Sequence, residues 1–322
     1  MNKNINENYI KAKQAFENWT NGVIPKCEQS VRRQMHFEDD LEKFGLTPLD
    51  IMNLKKDEFE FRHIPLSNKK EVRKAKEFIK KYEYLRKLAQ RNTHYFASYF
   101  KGEMVGVQVL STPNMFSKIL GEDTAKLEKV LSRGACSSIA PPFLNSWQIS
   151  KTIDWMSKNS ESRLFYGYSD VYGAGERGII YKASNFMYLG DNYGGKKALF
   201  DHSNPDKGIF SDREARKLAA YRRYANALGV SWDISWSESG RVNWENIPDN
   251  VEIDLRSSSR NYVASCEKIV TPPKRKWLCI KGADRRETKS LLKRFYELNP
   301  AFSPSLINGI GGLPYPNDLV GA

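Results

Sequence analysis

Tyr168, Ser169 and Asp170 end the aromatic run Leu164-Phe165-Tyr166-Gly167. A carboxylate at the end of a buried strand, beside Tyr166, Tyr168 and Tyr172, has its charged form disfavoured. Its pKa then rises, and it can take a proton near neutral pH. The competing role for Asp170 is to cap the turn that follows, and Ser138 and Ser169 can orient a substrate or simply make turns. Cys136, in a run of small residues, suits a small buried hydrophobe better than a nucleophile. His63 and His94 fall in strand-like runs with no partner four residues away, so a histidine metal site has little local support. Were a metal bound, His94 with Asp170 is the pair to test.

The elements that must position these residues follow from periodicity. Phe59–Leu66 alternates apolar and polar residues and predicts a strand. In the segment after Ser67-Asn68, Val72, Ala75, Phe78, Ile79, Tyr82 and Leu85 share one helical face. Two further strands, 94–100 and 104–111, flank the turn Lys101-Gly102-Glu103. A strand across 129–140 ends in small residues and is followed by Pro141-Pro142. Leu144, Trp147, Ile149, Ile153 and Met156 then mark an amphipathic helix, and 163–190 reads strand, loop, helix, strand. The order is β-α-β-β-β-α-β-α-β, a mixed α/β (α+β) sheet flanked by helices, from about Phe59 to His202. Residues 1–58 read as a helical appendage in which Phe16, Trp19, Val23 and Ile24 could form an apolar face, with a helix start at Thr47-Pro48-Leu49-Asp50. Residues 203–300 read as a basic C-terminal region. The glycine-rich 301–322 reads as a flexible tail.

This order resembles the GNAT acyltransferase fold, and the residues at its diagnostic places match in part. The segment Arg133-Gly134-Ala135-Cys136-Ser137-Ser138 stands where the family holds the pyrophosphate of acyl-CoA, with the helix start near Asn145-Ser146. Tyr181-Lys182-Ala183-Ser184-Asn185-Phe186 is similar to the family's Tyr-x-x-x-Gly-Phe, with Asn185 suited to a left-handed helix end. Together with Tyr168-Ser169-Asp170 and the run Gly178 to Gly190, the pattern looks like a phage-borne branch related to the Mom-type DNA-modification proteins. The resemblance implies acetyl-CoA or another acyl-CoA as donor, the exocyclic amine of an adenine-like base in DNA as acceptor, and a metal requirement left open. It implies that Arg133, Gly134, Ala135, Asn145 and Ser146 bind the donor. Asp170, Tyr181, Ser169 and Tyr168 are then the catalytic group, Tyr181 as the acid for the leaving thiolate; core packing is the other role for Tyr181. The sequence departs from Mom-type proteins in its long N-terminal appendage and in the ending Leu-Pro-Tyr-Pro-Asn-Asp.

The net charge is +13 and the pI about 9.4, which makes nucleic acid the first partner to consider. The charge is clustered. Phe210–Val230 predicts a helix carrying Arg213, Arg216, Arg222 and Arg223 with Tyr221 and Tyr224 between them, and Lys274, Arg275 and Lys276 precede the strand Trp277–Ile280. Cations near aromatics suit phosphate contact and stacking, and a solvated face is the other reading. Trp232, Trp236 and Trp244 fit a stacking platform or a core. No apolar run is long enough for a membrane span. The N-terminus lacks a secretory pattern, and the four scattered cysteines fit a reduced, cytoplasmic compartment. Two alternatives stand beside DNA modification: an N-acyltransferase acting on a protein or small amine, and a non-catalytic DNA-binding protein on a GNAT scaffold. The oligomeric state is open, a homodimer included.

Overall fold

The computed structural model describes residues 7–88, 91–191, 193–194, 197–304 and 311–319. The chain divides into two compact units, one made of Ile24–Tyr193 with Pro273–Ala322, the other of Met1–Val23 with Gly194–Pro272.

The larger unit holds the expected mixed sheet. Strands β1 (Phe59–Ile64), β2 (Asn92–Phe100), β3 (Glu103–Ser111), β4 (Glu128–Cys136), β5 (Leu164–Ser169), β6 (Met187–Tyr188) and β7 (Pro273–Ile280) lie in the order β1-β2-β3-β4-β5-β7-β6. Among the described residues, only β4 and β5 pair in parallel. Successive side chains of a strand point to opposite faces. Tyr95, Ala97, Tyr99, Val107 and Val109 therefore pack with helix α1 (Lys69–Tyr82), which buries the Val72, Ala75, Phe78, Ile79 and Tyr82 stripe expected from the sequence. Phe96, Leu110 and Phe165 pack on the other face with Ile149, Ile153 and Met156 of helix α2 (Leu144–Asn159). A sheet covered on both faces explains why β2 and β3 read as near-continuous apolar runs.

The insertion of β7 between β5 and β6 was not visible in the sequence. Trp277 and Leu278 are fully buried, so half of this segment behaves as a central strand although Lys274, Arg275 and Lys276 make it look like a surface patch. The C-terminal end also departs from expectation. Residues 311–319, expected to be mobile, pack back onto the unit: Leu313 donates its amide to the Tyr188 carbonyl at 2.8 Å, and Leu319 is fully buried.

Helices Glu28–Gln34, Phe37–Phe44 and Pro48–Asn53 belong to this unit too. Thr47 and Asp50 form a reciprocal capping box with Pro48 in the first turn, as the sequence suggested. In the smaller unit, helix Glu7–Thr20 buries Ala12 and Ala15, whereas Phe16, Trp19 and Val23 are exposed. The expected apolar face is thus shifted, because the helix meets its sheet through small residues and Tyr9, whose ring stacks on Phe200 at 4.1 Å. That sheet comprises Lys197–Phe200 between Ile209–Phe210 and Glu267–Val270. Helices α3 (Leu218–Ala227) and α4 (Asp249–Ser265) enclose a second core of Tyr221, Ala225, Trp236, Ile247 and Leu255.

Candidate active site

Strands β4 and β5 share a register only at Glu128–Leu164, Lys129–Phe165 and Val130–Tyr166. Beyond Val130 the ladder ends. A register shift at Val109/Leu110 bends the β3–β4 pair, and β4 stays with β3, while Gly167, Tyr168 and Ser169 pair with β7. The strands part into a wedge, and a cavity of about 1060 Å³ fills it. Its walls bring together Arg133, Gly134, Ala135, Asn145 and Ser146 with Tyr168, Ser169, Asp170 and Tyr181. Every residue assigned to donor binding or catalysis from the sequence thus lines one space.

The details of the donor end differ from expectation. Arg133, Gly134 and Ala135 are strand residues of β4, not a loop. Arg133 donates to the Lys87 carbonyl at 2.6 Å, and its Nε lies 4.0 Å from Glu83. A Cβ on Gly134 would lie 2.6 Å from the Gln108 side chain, which itself donates to the Arg133 carbonyl at 2.8 Å. Ala135 is buried against α1. The turn falls instead at 137–143. Helix α2 then begins with Phe143 at its N-cap, which supplies no side-chain cap. The first-turn N–H groups of such a helix have no intrahelical partners and carry partial positive charge. Asn145 and Ser146 of that turn line the cavity, so an anion-holding helix start faces it.

Arg33, not among the residues singled out in the sequence, organises this turn. Its guanidinium donates to the carbonyls of Ser137 at 3.2 Å, Ser138 at 3.3 Å and Ala140 at 3.0 Å. The Ser138 hydroxyl donates back to the Arg33 carbonyl at 2.6 Å. Residues from Ile24 to Arg33 form a wall of the cavity, and Gly175, at φ +68°, comes so close that a Cβ would lie 2.4 Å from the Pro25 carbonyl. The only signal in the sequence was an arginine pair, Arg32-Arg33, in a polar helix.

The same cavity holds an acidic cluster. Asp170 does cap the turn: it accepts from the Gly173 amide at 2.9 Å and pairs with Lys274 at 2.8 Å. Two carboxylates missed in the sequence stand with it. Glu176 is half-buried and accepts a hydrogen bond from the Tyr84 hydroxyl at 3.4 Å. Burial, then the charges of Asp170 and Glu83, push its pKa up to about 7. Glu83 is 4% exposed, and its Oε2 has no partner among the described residues. Burial pushes it up to about 7, and Arg133 pulls it down. Tyr181 donates to the Tyr168 carbonyl at 3.4 Å, and burial, then Glu176, raises its pKa, so the phenol keeps its proton. Its ring lies over Gly167 and stacks beside Trp277, whose indole N–H donates to Ser169 at 2.9 Å. Ser169 is buried and held by that bond. Asn185 has φ +58°, as a left-handed helix end requires.

The residues expected to meet phosphate are dispersed. Arg275 is buried and makes two bonds to Asp318, at 2.9 and 2.7 Å. A buried guanidinium with its own carboxylate is not offered to DNA, which corrects that assignment. Lys276 lies over the Tyr166 ring at 4.6 Å, and Lys274 is taken up by Asp170. Arg213, Arg216, Arg222 and Arg223 are exposed, but not on one helix. Asp212–Arg216 is a 3₁₀ segment, and Lys217 is extended before α3 begins. His63 and His94 pack beside Trp155, and neither lines the cavity. Burial drives the buried Cys136 thiol up to about 11, in keeping with a small hydrophobe. Among the described residues, no group of three or more His, Cys, Asp or Glu forms a metal site. No helix among them is long and apolar enough to cross a membrane.

The sheet is a mixed α/β fold flanked by helices, and the wedge between its parallel strands carries the candidate site. The Mom protein family matches the chain over residues 67–225, just under half of it, a stretch that includes Arg133, Asp170 and Tyr181. The resemblance to that family read from the sequence therefore stands. Among solved structures, the ribosomal-protein-S5-alanine acetyltransferase from Vibrio fischeri is similar at 14% identity and a TM-score of 0.29, over 42% of this chain and 84% of that one. No curated protein matches the chain.

Proposed function

We propose that this protein is a GNAT-like transferase that moves an acyl group from an acyl-CoA donor to an exocyclic base amine in DNA. One observation carries the reading: an uncapped helix start and a cluster of carboxylates with two pKa values near 7 line the same cavity. The helix start at Asn145-Ser146 suits the donor's pyrophosphate, with the turn behind it set by Arg33. Amine acylation requires loss of a proton from nitrogen. Glu176 takes that role, because a base with a pKa near the working pH is the effective one. Asp170 is held by Lys274 and the Gly173 amide, and it acts by keeping negative charge beside Glu176. As the new C–N bond forms, the C–S bond breaks, and Tyr181, which keeps its proton, supplies it to the leaving sulfur. Tyr168 and Ser169 fix the position of Tyr181 and Trp277. A base paired in duplex DNA cannot reach such a cavity, so the acceptor is extruded or single-stranded. The Mom family match supports DNA as substrate.

The three carboxylates at the acceptor end also suit a cationic amine on a protein or small molecule, which is the second reading. Mass spectrometry of nucleosides from cells expressing the chain or its Glu176→Gln variant separates the two. The first reading requires a new nucleoside that disappears in the variant. Unchanged nucleosides, with acetyl-CoA bound by the purified chain, favour the second.

A further inference from the structure

The smaller unit contains a cleft of about 940 Å³ whose chemistry differs from that of the wedge. Arg216, Arg222, Arg241 and Arg256 line it together with Tyr221 and Trp244, and no carboxylate does so among the described residues. Arg241 and Trp244 come from the two-stranded hairpin (Ser237–Glu238 with Arg241–Val242) and the segment after it, Arg222 from α3, and Arg256 from α4. The Arg256 guanidinium lies over the Trp244 ring at 4.0 Å, and Tyr221 meets that ring edge-on at 4.9 Å. Arg256 is exposed, so the stack ends in a guanidinium plane bordering the cleft.

The cations are not all neutralised. Arg216 pairs with Asp212, and Arg256 with Glu252, across one turn of exposed chain. Exposed pairs of this kind are weak and exchange readily for another anion. Arg222 and Arg241 have no carboxylate within ion-pair distance among the described residues; Arg222 has a 3.4 Å bond to the Ser237 hydroxyl and lies over the Trp232 ring at 5.9 Å. A ligand that satisfies this cleft must carry several negative charges and flat rings able to stack on a guanidinium plane. Single-stranded nucleic acid has both features, and its unpaired bases expose the faces that a duplex hides.

We propose that this cleft is a binding site for single-stranded DNA, with phosphates held by Arg222 and Arg241 and a base stacked on the Trp244–Arg256 pair. It rests on the DNA reading above and deepens it by naming the single strand as the form of DNA this chain recognises. Arg241, Trp244 and Arg256 lie beyond the residues matched by the Mom family.

Fluorescence anisotropy of the full chain with a labelled oligodeoxythymidine, titrated against salt, tests the site. The Arg222→Ala/Arg241→Ala double variant changes only exposed side chains. It is expected to weaken binding tenfold or more and to flatten the salt slope by about 1–2. Trp244→Phe should reduce the quenching of tryptophan fluorescence on binding, and circular dichroism checks that it is folded. An unchanged affinity in the double variant overturns the proposal. So does duplex DNA of the same length binding as tightly as the single strand, or absence of binding by the parent chain at low salt. Acetyl-CoA binding by the double variant should be unaltered. If the oligonucleotide result fails while a modified nucleoside is still formed, only the cleft assignment falls. If the cleft binds and no modified nucleoside forms, the reading of DNA as acyl acceptor falls alone.

Discussion

Asp170 and Lys274 meet at 2.8 Å, joining the residue that follows β5 to the second residue of β7. The most obvious base and one of the most obvious DNA-contacting cations in the sequence are therefore each other's partners. The pair is partly exposed, so its own contribution to stability is about 0–1 kcal/mol. Its larger effect is electrostatic: Asp170 raises the pKa of Glu176, and Lys274 lowers it. Lys274→Ala is therefore expected to move the Glu176 titration to higher pH. Carboxyl carbon NMR of glutamate-labelled protein would read this directly. The parent chain should give resonances titrating near 7, one of which is lost in Glu176→Gln. If every glutamate titrates near the ordinary value of about 4.3, the assignment of Glu176 as base is wrong.

Glu83 supplies a pH dependence of stability. Its ordinary pKa of 4.5 is raised by burial to about 7 in the folded chain, so folding favours its protonated form. The cost of burying its charge is absent below about pH 4.5 and grows as pH rises through 7, so its contribution makes the protein less stable across that window. Glu83→Gln keeps the shape and removes the titration. Its melting temperature, measured by differential scanning fluorimetry from pH 5 to pH 8, should fall less with rising pH than that of the parent. Parallel curves for the two proteins would show that Glu83 does not carry this charge cost.

Much of the larger unit could be read from residue patterns because its signals are local. The stripe Val72, Ala75, Phe78, Ile79, Tyr82 is a helix period, and Lys101-Gly102 between two apolar runs is a hairpin. Asn185 at a left-handed position closes a helix that the sequence already delimited. The missed features depend on long-range contacts. Trp277 sits among cations in the sequence, and only its placement between β5 and β6 reveals a core residue. Glu83 and Glu176 lie far apart in the chain and become a carboxylate cluster because the wedge draws α1's end and the turn after β5 together. Arg33 gives no local sign of its three carbonyl partners. Arg275 resembles every other arginine in a basic run until Asp318 closes on it.

Gly167 sits where a central strand passes under Tyr181. A Cβ there would lie 2.2 Å from the tyrosine ring, which is itself fixed between Phe186 and Trp277. Gly167→Ala is expected to destabilise the protein by about 1–3 kcal/mol, the usual cost of overpacking a close-packed core. Combining it with Tyr181→Ala should cost less than the sum of the two single changes, because the second removes the clash created by the first. Urea midpoints of the three variants test this. Strict additivity would mean that the ring and the strand do not press on each other.

Arg33 offers the sharpest test of the donor end, because its guanidinium is held by the turn that leads into α2. Arg33→Ala leaves three carbonyls of 137–140 without their guanidinium, so the turn that leads into α2 loses its fixed geometry. Acetyl-CoA affinity, measured by calorimetry, is expected to fall about tenfold, which corresponds to about 1.4 kcal/mol. Arg33→Lys should rescue little, since a single ammonium cannot reproduce a planar fork reaching several acceptors. Ser146→Ala should change affinity less than Arg33→Ala, because the Ser146 hydroxyl bonds the Phe143 carbonyl at 3.0 Å and is not the N-cap. If Arg33→Ala binds acetyl-CoA as tightly as the parent, the turn it holds does not form the donor site, and the anion-holding role must move elsewhere in the cavity.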